Sequence, residues 1–285
     1  MDKLKYREYL GVETRAKILR IFNKIFGKLL RYVADTYETR LNLVSNTTQP
    51  AKSGWSILVI TTGQNKEFLE RFIISAYHEL QNTDYEIIVV GPPKLDLSYI
   101  PKKIRLVHVP YRELHISTIS GAISKKKNFG VKQAKYDKVV ISHDYLYFLP
   151  GWKKGYDKFG DFTVCTNVVL DQEGERQKDW VVWDYPGVGM GLLPYTEEFT
   201  QYQIIVGNYF VVKRDFFLEN PINENLRWGE GEDVDWSLSI RKKIKFRINT
   251  ESKVQFSKEI SKYKRGISGI WLEGTKKIEH ILLDK

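Results

Sequence analysis

The chain has 285 residues, 42% hydrophobic and 13% aromatic, enough for one large α/β domain with a small appendage. Its formal charge of +10 calls for an anionic partner: nucleic acid, a membrane surface or a phosphorylated substrate. The single cysteine, Cys165, excludes an internal disulfide framework, and no apolar stretch reaches the about 18 residues that span a bilayer.

The opening MDKLKYREYLGVETRAK has no apolar core, so no signal peptide is expected there. From Arg15 to Arg40, Ile18, Phe22, Ile25, Leu29 and Val33 recur at helical spacing, widened by Phe26 and Leu30. Lys17, Arg20, Lys24, Lys28 and Arg31 recur on another face. Residues 1–50 are therefore expected to hold a basic amphipathic helix, followed by the polar linker SNTTQPAKSG (45–54). The helix has three ways to cover its apolar stripe: its own domain, an anionic membrane under residues 15–40, or a second copy in a homo-oligomer.

Residues 55–285 read as one domain of alternating elements. WSILVIT (55–61) is a short β-branched run, predicted as a buried strand. KEFLERFIISAYHELQ (66–81) places Phe68, Leu69, Phe72, Ile73, Ala76 and Leu80 on one helical face. YEIIVVG (85–91), IRLVHV (104–109) and KVVIS (138–142) read as further strands, and 119–135 as helical in part. The order implies a mostly parallel sheet with right-handed crossovers. Ligands then bind beyond the carboxyl ends of the strands, at Thr61, Thr62, Gly63, Gly91, His143, Asp144 and Tyr145. The segment 171–195, rich in Gly and aromatics, reads as a long loop over a site, with Trp180, Trp183 and Tyr185 expected to hold sugar.

Three constellations carry chemistry. Asp144 stands at a strand tip, where a carboxylate can hold Mg²⁺ or Mn²⁺ against a diphosphate. RWGEGEDVDWSLSIRKK (227–243) sets Glu230, Glu232, Asp233 and Asp235 at a helix start and Arg241, Lys242 and Lys243 at its end. That pattern suits the helix dipole, and it also suits a general base that takes a proton from a hydroxyl. SKKKNFG (124–130) offers either a solvated charge run or a lysine for phosphate, with Asn128 fixing the loop.

In this order and spacing the segments from about Trp55 to Phe256 resemble the inverting glycosyltransferases of family 2. SILVITTGQN, YEIIVVG, the Lys127-Asn128-x-Gly130 turn, LPGW (149–152) and GNYFVVKRDFF (207–217) before Glu232-Asp233 carry the likeness. The resemblance implies a GT-A fold, a Rossmann-like, mostly parallel central sheet flanked by helices. It assigns the base to Asp233, with Glu232 on the acceptor. Donor contacts fall to Thr61, Thr62, Gly63, Gly91, Lys127, Asn128, His143 and Asp144. Acceptor contacts fall to Trp180, Trp183, Tyr185 and Trp228, the last within a galactosyltransferase-like Trp-Gly-x-Gly-Glu-Asp segment. Three positions depart from the family pattern. Ser142 replaces the first Asp of Asp-x-Asp, Gly91 replaces the Asp that contacts uridine, and Gln255 stands nearest to a third metal ligand, usually His. Asp144 is then the expected sole carboxylate for Mn²⁺ or Mg²⁺, with basic residues sharing the charge of the diphosphate.

The implied partners are a nucleotide-sugar donor and a glycan or lipid-linked acceptor, with no nucleic acid, at a cytoplasmic site peripheral to the inner face of the cell membrane. A nucleotidyltransferase would require a Gly-rich phosphate loop, and TTGQNKEF has one glycine. A basic nucleic-acid-binding protein would interleave basic and aromatic residues on one face. A noncatalytic, glycan-binding relative of the transferases is the remaining alternative.

Overall fold

β-branched runs with no polar alternation form strands that are covered on both faces. β1 (Lys52–Ile60) and β2 (Tyr85–Gly91) are of this kind: Ile57, Leu58, Val59, Ile87, Ile88, Val89 and Val90 are wholly buried. The structure, a computed structural model, describes residue 27 and residues 29–42, 50–114, 122–227, 229–258 and 262–283, with backbone alone for 262–272. β3 (Leu106–Pro110) and β4 (Tyr136–His143) complete a parallel set in the order β3-β2-β1-β4.

The crossover from β1 to β2 is α2 (Lys66–Leu80), capped by Asn65, whose side chain accepts from the Phe68 N–H at 3.3 Å. Leu69, Phe72, Ile73, Ala76 and Leu80 are buried in the core, and Phe68 is half-buried. α3 (Ile123–Val131) precedes β4, and residues 115–121 lie outside the described residues.

The second half adds β5 (Leu146–Phe148), α4 (Trp152–Phe159), β6 (Val164–Leu170), β7 (Val181–Tyr185), β8 (Gly189–Leu192) and β9 (Gln203–Ile204). β10 (Tyr209–Lys213), α5 (Arg214–Glu219), α6 (Glu232–Ile240), β11 (Phe246–Phe256) and α7 (Lys262–Leu283) follow. The main sheet continues β4-β10-β6-β11-β5. There β10 runs antiparallel to β4 and β6, β11 is parallel to β6, and β5 closes the edge. The LPGW segment serves this packing. Gly151 takes φ +90°, and Trp152 is fully buried, its Nε1 donating to the Tyr209 hydroxyl at 2.9 Å.

One expectation is corrected. The segment 171–195 is not an irregular loop: β7 and β8 form an antiparallel hairpin, and β9 joins them in a second, three-stranded sheet. Buried Asp179 anchors its base, accepting from Arg176 at 2.8 Å and from the Tyr195 hydroxyl at 2.7 Å. The described part of the N-terminal helix meets its own domain, one of the three covers open to it, but not through the apolar stripe. Residues 29–41 form α1, whose Leu29 and Val33 are 61% and 47% exposed, while Ala34 and Glu38 are buried. The helix docks by its acidic side, because Asp35 and Glu38 meet Lys125 and Arg227 on the domain surface. Ile18, Phe22, Ile25 and Phe26 lie outside the described residues.

α7 lies on β8 at closest backbone approach. A Cβ on Gly274 would sit 1.7 Å from the Met190 carbonyl oxygen. Helix propensity alone favours Ala over Gly by about 1 kcal/mol. The clash is with backbone and outweighs that gain. Gly274→Ala is expected to lose about 1–3 kcal/mol of stability in urea unfolding, where propensity predicts an increase.

Candidate active site

The parallel strands end together, and their tips assemble a cavity of about 230 Å³ lined by Thr61, Thr62, Gly91, Tyr111, Glu113 and Lys126. In the register, Ile60 pairs with His143, which brings the residue after β1 beside the residue after β4. The Thr61 hydroxyl accordingly donates to Asp144 Oδ2 at 2.5 Å and accepts from the Gly63 N–H at 2.9 Å. Burial raises the Asp144 carboxyl above its usual range, against the pull of that hydroxyl and of Lys258.

A larger cleft of about 410 Å³ opens on the other side of the β4 tip, lined by His143, Tyr145, Trp183, Gly207, Glu232 and Asp233 among others. His143 lines this cleft, and its neighbour Asp144 is bonded to Thr61 of the smaller cavity. Burial, then the charges of Lys127, Lys126 and Lys258, hold His143 well below the ordinary imidazole value, so its ring is neutral. Tyr145 stacks on Phe256 at 5.7 Å, and the Lys258 ammonium lies 3.4 Å from the Tyr145 ring centroid.

Asp233 and Glu232 open α6 in this cleft, after Gly231 in the left-handed region at φ +76°. The carboxylates lie at the positive end of the helix, where the dipole favours the anion. Asp233 Oδ2 accepts from the Gly207 N–H at 2.8 Å, and Oδ1 from the Val234 N–H at 2.9 Å. Each oxygen keeps a further lone pair for a substrate hydroxyl. Gly207 is required here: a Cβ would fall 2.9 Å from Asp233 Cβ and 3.0 Å from Lys127 Nζ.

Lys127 is fully buried, with Nζ 3.3 Å from Glu232 Oε1. Burial lowers its ammonium pKa, and Glu232 and Asp233 pull it back. Its position behind the acidic pair makes it a support for Glu232, rather than the solvated or phosphate-facing residue of the sequence reading. Lys126 pairs with Glu113 at 2.8 Å in the strand-tip cavity, and Lys125 pairs with Asp35 at 2.5 Å. Asn128 points away from both cavities. It donates to the Ile222 carbonyl at 2.7 Å and accepts from the Ile222 N–H at 3.1 Å, fixing that loop.

Of the expected acceptor residues, Trp183 is 39% exposed in the larger cleft. Trp180 is a core residue with no exposure, its Nε1 donating to the Glu197 carbonyl at 2.8 Å. Tyr185 packs edge-on against Phe199 and Tyr202. Trp228 lies outside the described residues. Gln255 is bonded to Tyr147 and donates to the Asp171 carbonyl at 2.7 Å, turned to structural use. Among the described residues no group of three or more His, Cys, Asp and Glu converges on one point. The donor set at Asp144 is a single carboxylate. It fits a hard divalent cation that keeps several waters and takes its other ligands from a substrate diphosphate.

Tyr37, Glu113 and Lys258 were not singled out in the sequence. Each reaches a cavity or the strand tip through tertiary placement, and no motif marks them.

The order and direction of the strands and the flanking helices are those of the GT-A fold. Two solved structures share it. The first is GalNAc-T7 with UDP, GalNAc and Mn²⁺, at TM-score 0.52 and 13% identity, over 71% of this chain and 43% of that one. The second is TarS of S. aureus, at TM-score 0.51 and 15% identity, over 76% of this chain and 38% of that one. The chain thus spans less than half the length of either. No protein family matches the sequence, and no curated protein does.

Removing one member of a buried ion pair leaves the other unsolvated, at a cost of about 3–5 kcal/mol. Lys127→Met alone is expected to destabilise on that scale in urea unfolding. Adding Glu232→Gln should recover most of the loss. Additive losses in the double variant would mean that the two groups do not interact.

Proposed function

We propose that the chain transfers a sugar from a nucleoside-diphosphate donor to a hydroxyl of a glycan or lipid-linked acceptor, with inversion at the anomeric carbon. The observation that carries the reading is the placement of Asp233: a carboxylate with open lone pairs, in a cleft also lined by His143 at the end of β4, the neighbour of Asp144. The occurrence of UDP, GalNAc and Mn²⁺ in a structure of the same fold supports it.

Asp233 takes the proton of the acceptor hydroxyl, and the oxygen attacks the anomeric carbon from the side opposite the diphosphate. The bond to the diphosphate oxygen breaks with its electron pair on the leaving group. Glu232, held by Lys127, orients the acceptor, and Trp183 supplies a face for sugar C–H groups. His143, neutral and next to Asp144, contacts the donor as a hydrogen-bonding group without adding charge. A Mn²⁺ or Mg²⁺ ion, when bound, would be held by Asp144 and diphosphate oxygens and supplies charge neutralisation there.

The location belongs to the same proposal: a peripheral protein on the cytoplasmic face of a membrane. It is supported by exposed Leu29, Tyr32, Val33 and Leu41 on α1 and by the charge of +10. No helix among the described residues is long and apolar enough to cross a membrane. The chain is expected to sediment with phosphatidylglycerol vesicles and not with phosphatidylcholine vesicles. No sedimentation with either would remove the membrane from the proposal.

The transfer itself is tested with UDP-, GDP-, dTDP- and CMP-linked sugars, with and without Mn²⁺, by thermal shift and donor turnover. One nucleotide class should raise the melting temperature. Asp233→Asn keeps the Gly207 hydrogen bond, and should retain that shift while turnover falls about 10²–10⁴-fold. Unchanged turnover in Asp233→Asn would dismiss it as the base, and no shift with any donor would dismiss the reaction.

A further inference from the structure

We propose that α1 forms the outer wall of the nucleobase pocket and that the base of the donor lies against the ring of Tyr37. The inference rests on the nucleotide-sugar reading above and adds a residue to it from outside the sheet.

The strand-tip cavity of about 230 Å³ is built mostly from the ends of β1, β2 and β3 and the segments that follow them; Lys126 of α3 and Tyr37 of α1 complete it. Its floor can hold no recognition side chain. A Cβ on Gly91 would fall 2.9 Å from Thr61 Cγ2 and 3.1 Å from Leu95 Cδ2, so the position has no room for a carboxylate. The Gly91 carbonyl is engaged as well, accepting from the Tyr111 N–H at 2.8 Å. Tyr111 itself is 4% exposed, its ring set edge-on to Phe129 at 5.4 Å, so its faces are spent on packing. Recognition of a flat, apolar-faced base therefore falls to the walls, and Tyr37 is the aromatic ring left there with open surface, 42% exposed.

The helix that carries the ring is held in place by bonds on either side of Tyr37. Glu38 and Asp35 are fixed by Lys125 and Arg227, the latter at 2.8 Å and 2.9 Å. One turn later, Asn42 accepts from the Arg112 N–H and donates to the Arg112 carbonyl, both at 2.8 Å. The helix is thus bonded directly to the segment after β3 that lines the same cavity. A helix anchored before the ligand arrives adds little ordering cost to binding. Stacking also tolerates any base, since each has a π-face.

The test uses the full chain and calorimetric titration with UDP, and with inorganic pyrophosphate as a probe that lacks the base. Tyr37→Ala should weaken UDP about tenfold or more, and Tyr37→Phe should stay within about twofold. Tyr37→Leu keeps apolar bulk without the π-face, and should track Tyr37→Ala. Leu41→Ser, on the exposed side of the same helix, should bind UDP as the parent does. Pyrophosphate affinity should be unchanged in all four. Parental UDP affinity in Tyr37→Ala and Tyr37→Leu would overturn the inference and leave the nucleotide-sugar reading standing. Equal losses for UDP and pyrophosphate would also overturn it, because the helix would then act through general packing. A parent chain that binds no nucleoside diphosphate would end both.

Discussion

Three consecutive buried lysines are the constraint around which the site is organised. Consecutive side chains leave a helix about 100° apart, so Lys125, Lys126 and Lys127 of α3 cannot share one partner. Each ammonium loses its hydration and requires its own carboxylate. The partners come from three places: Asp35 and Glu38 on α1, Glu113 in the segment after β3, and Glu232 at the start of α6. A single short helix thereby fixes the N-terminal helix, a wall of the strand-tip cavity and the acidic pair of the larger cleft. This also explains how a helix with almost no apolar face is buried over nearly its whole length.

The sheet contributes the other half of the geometry. Parallel β1 and β4 end at the same level, and the Thr61 to Asp144 hydrogen bond crosses between them. Antiparallel β10 then brings the turn with Gly207 and Asn208 back to the same edge, and the His143 N–H donates to the Asn208 carbonyl at 3.1 Å. Gly207 presents only backbone to Asp233, which lets α6 approach the strand tip. Donor and acceptor sides of the proposed reaction meet at this edge, separated by His143 and Asp144.

The charge distribution follows from the same packing. A net +10 suggests a basic face, yet the run Lys125, Lys126 and Lys127 is neutralised inside the protein by acids far along the chain. Its field still reaches the site. Lys126, Lys127 and Lys258 depress His143, and Lys126 and Lys258 stabilise the Asp144 carboxylate against burial. These lysines act beside burial, the larger influence, on the electrostatics at the strand tip.

The sequence by itself determined the elements and their edge. Uninterrupted β-branched runs specify strands buried on both faces, helical spacing specifies α2, and the strand-helix order specifies a parallel sheet with its site at the carboxyl ends. Thr61, Asp144 and the acidic start of α6 were legible for that reason, since the signals are local. The tertiary structure alone decided the partners. Lys125 meets Asp35 across 90 positions, Lys127 meets Glu232 across 105, and Arg227 meets Glu38 across 189. Periodicity gives the face of a helix but not what covers it. The stripe with Leu29 and Val33 was legible, but not that Ala34 and Glu38 are the buried side of α1. The same limit hid the difference between Trp180, which is core, and Trp183, which faces the cleft. It also hid Tyr37, whose place at the strand tips exists only because distant charges hold its helix there.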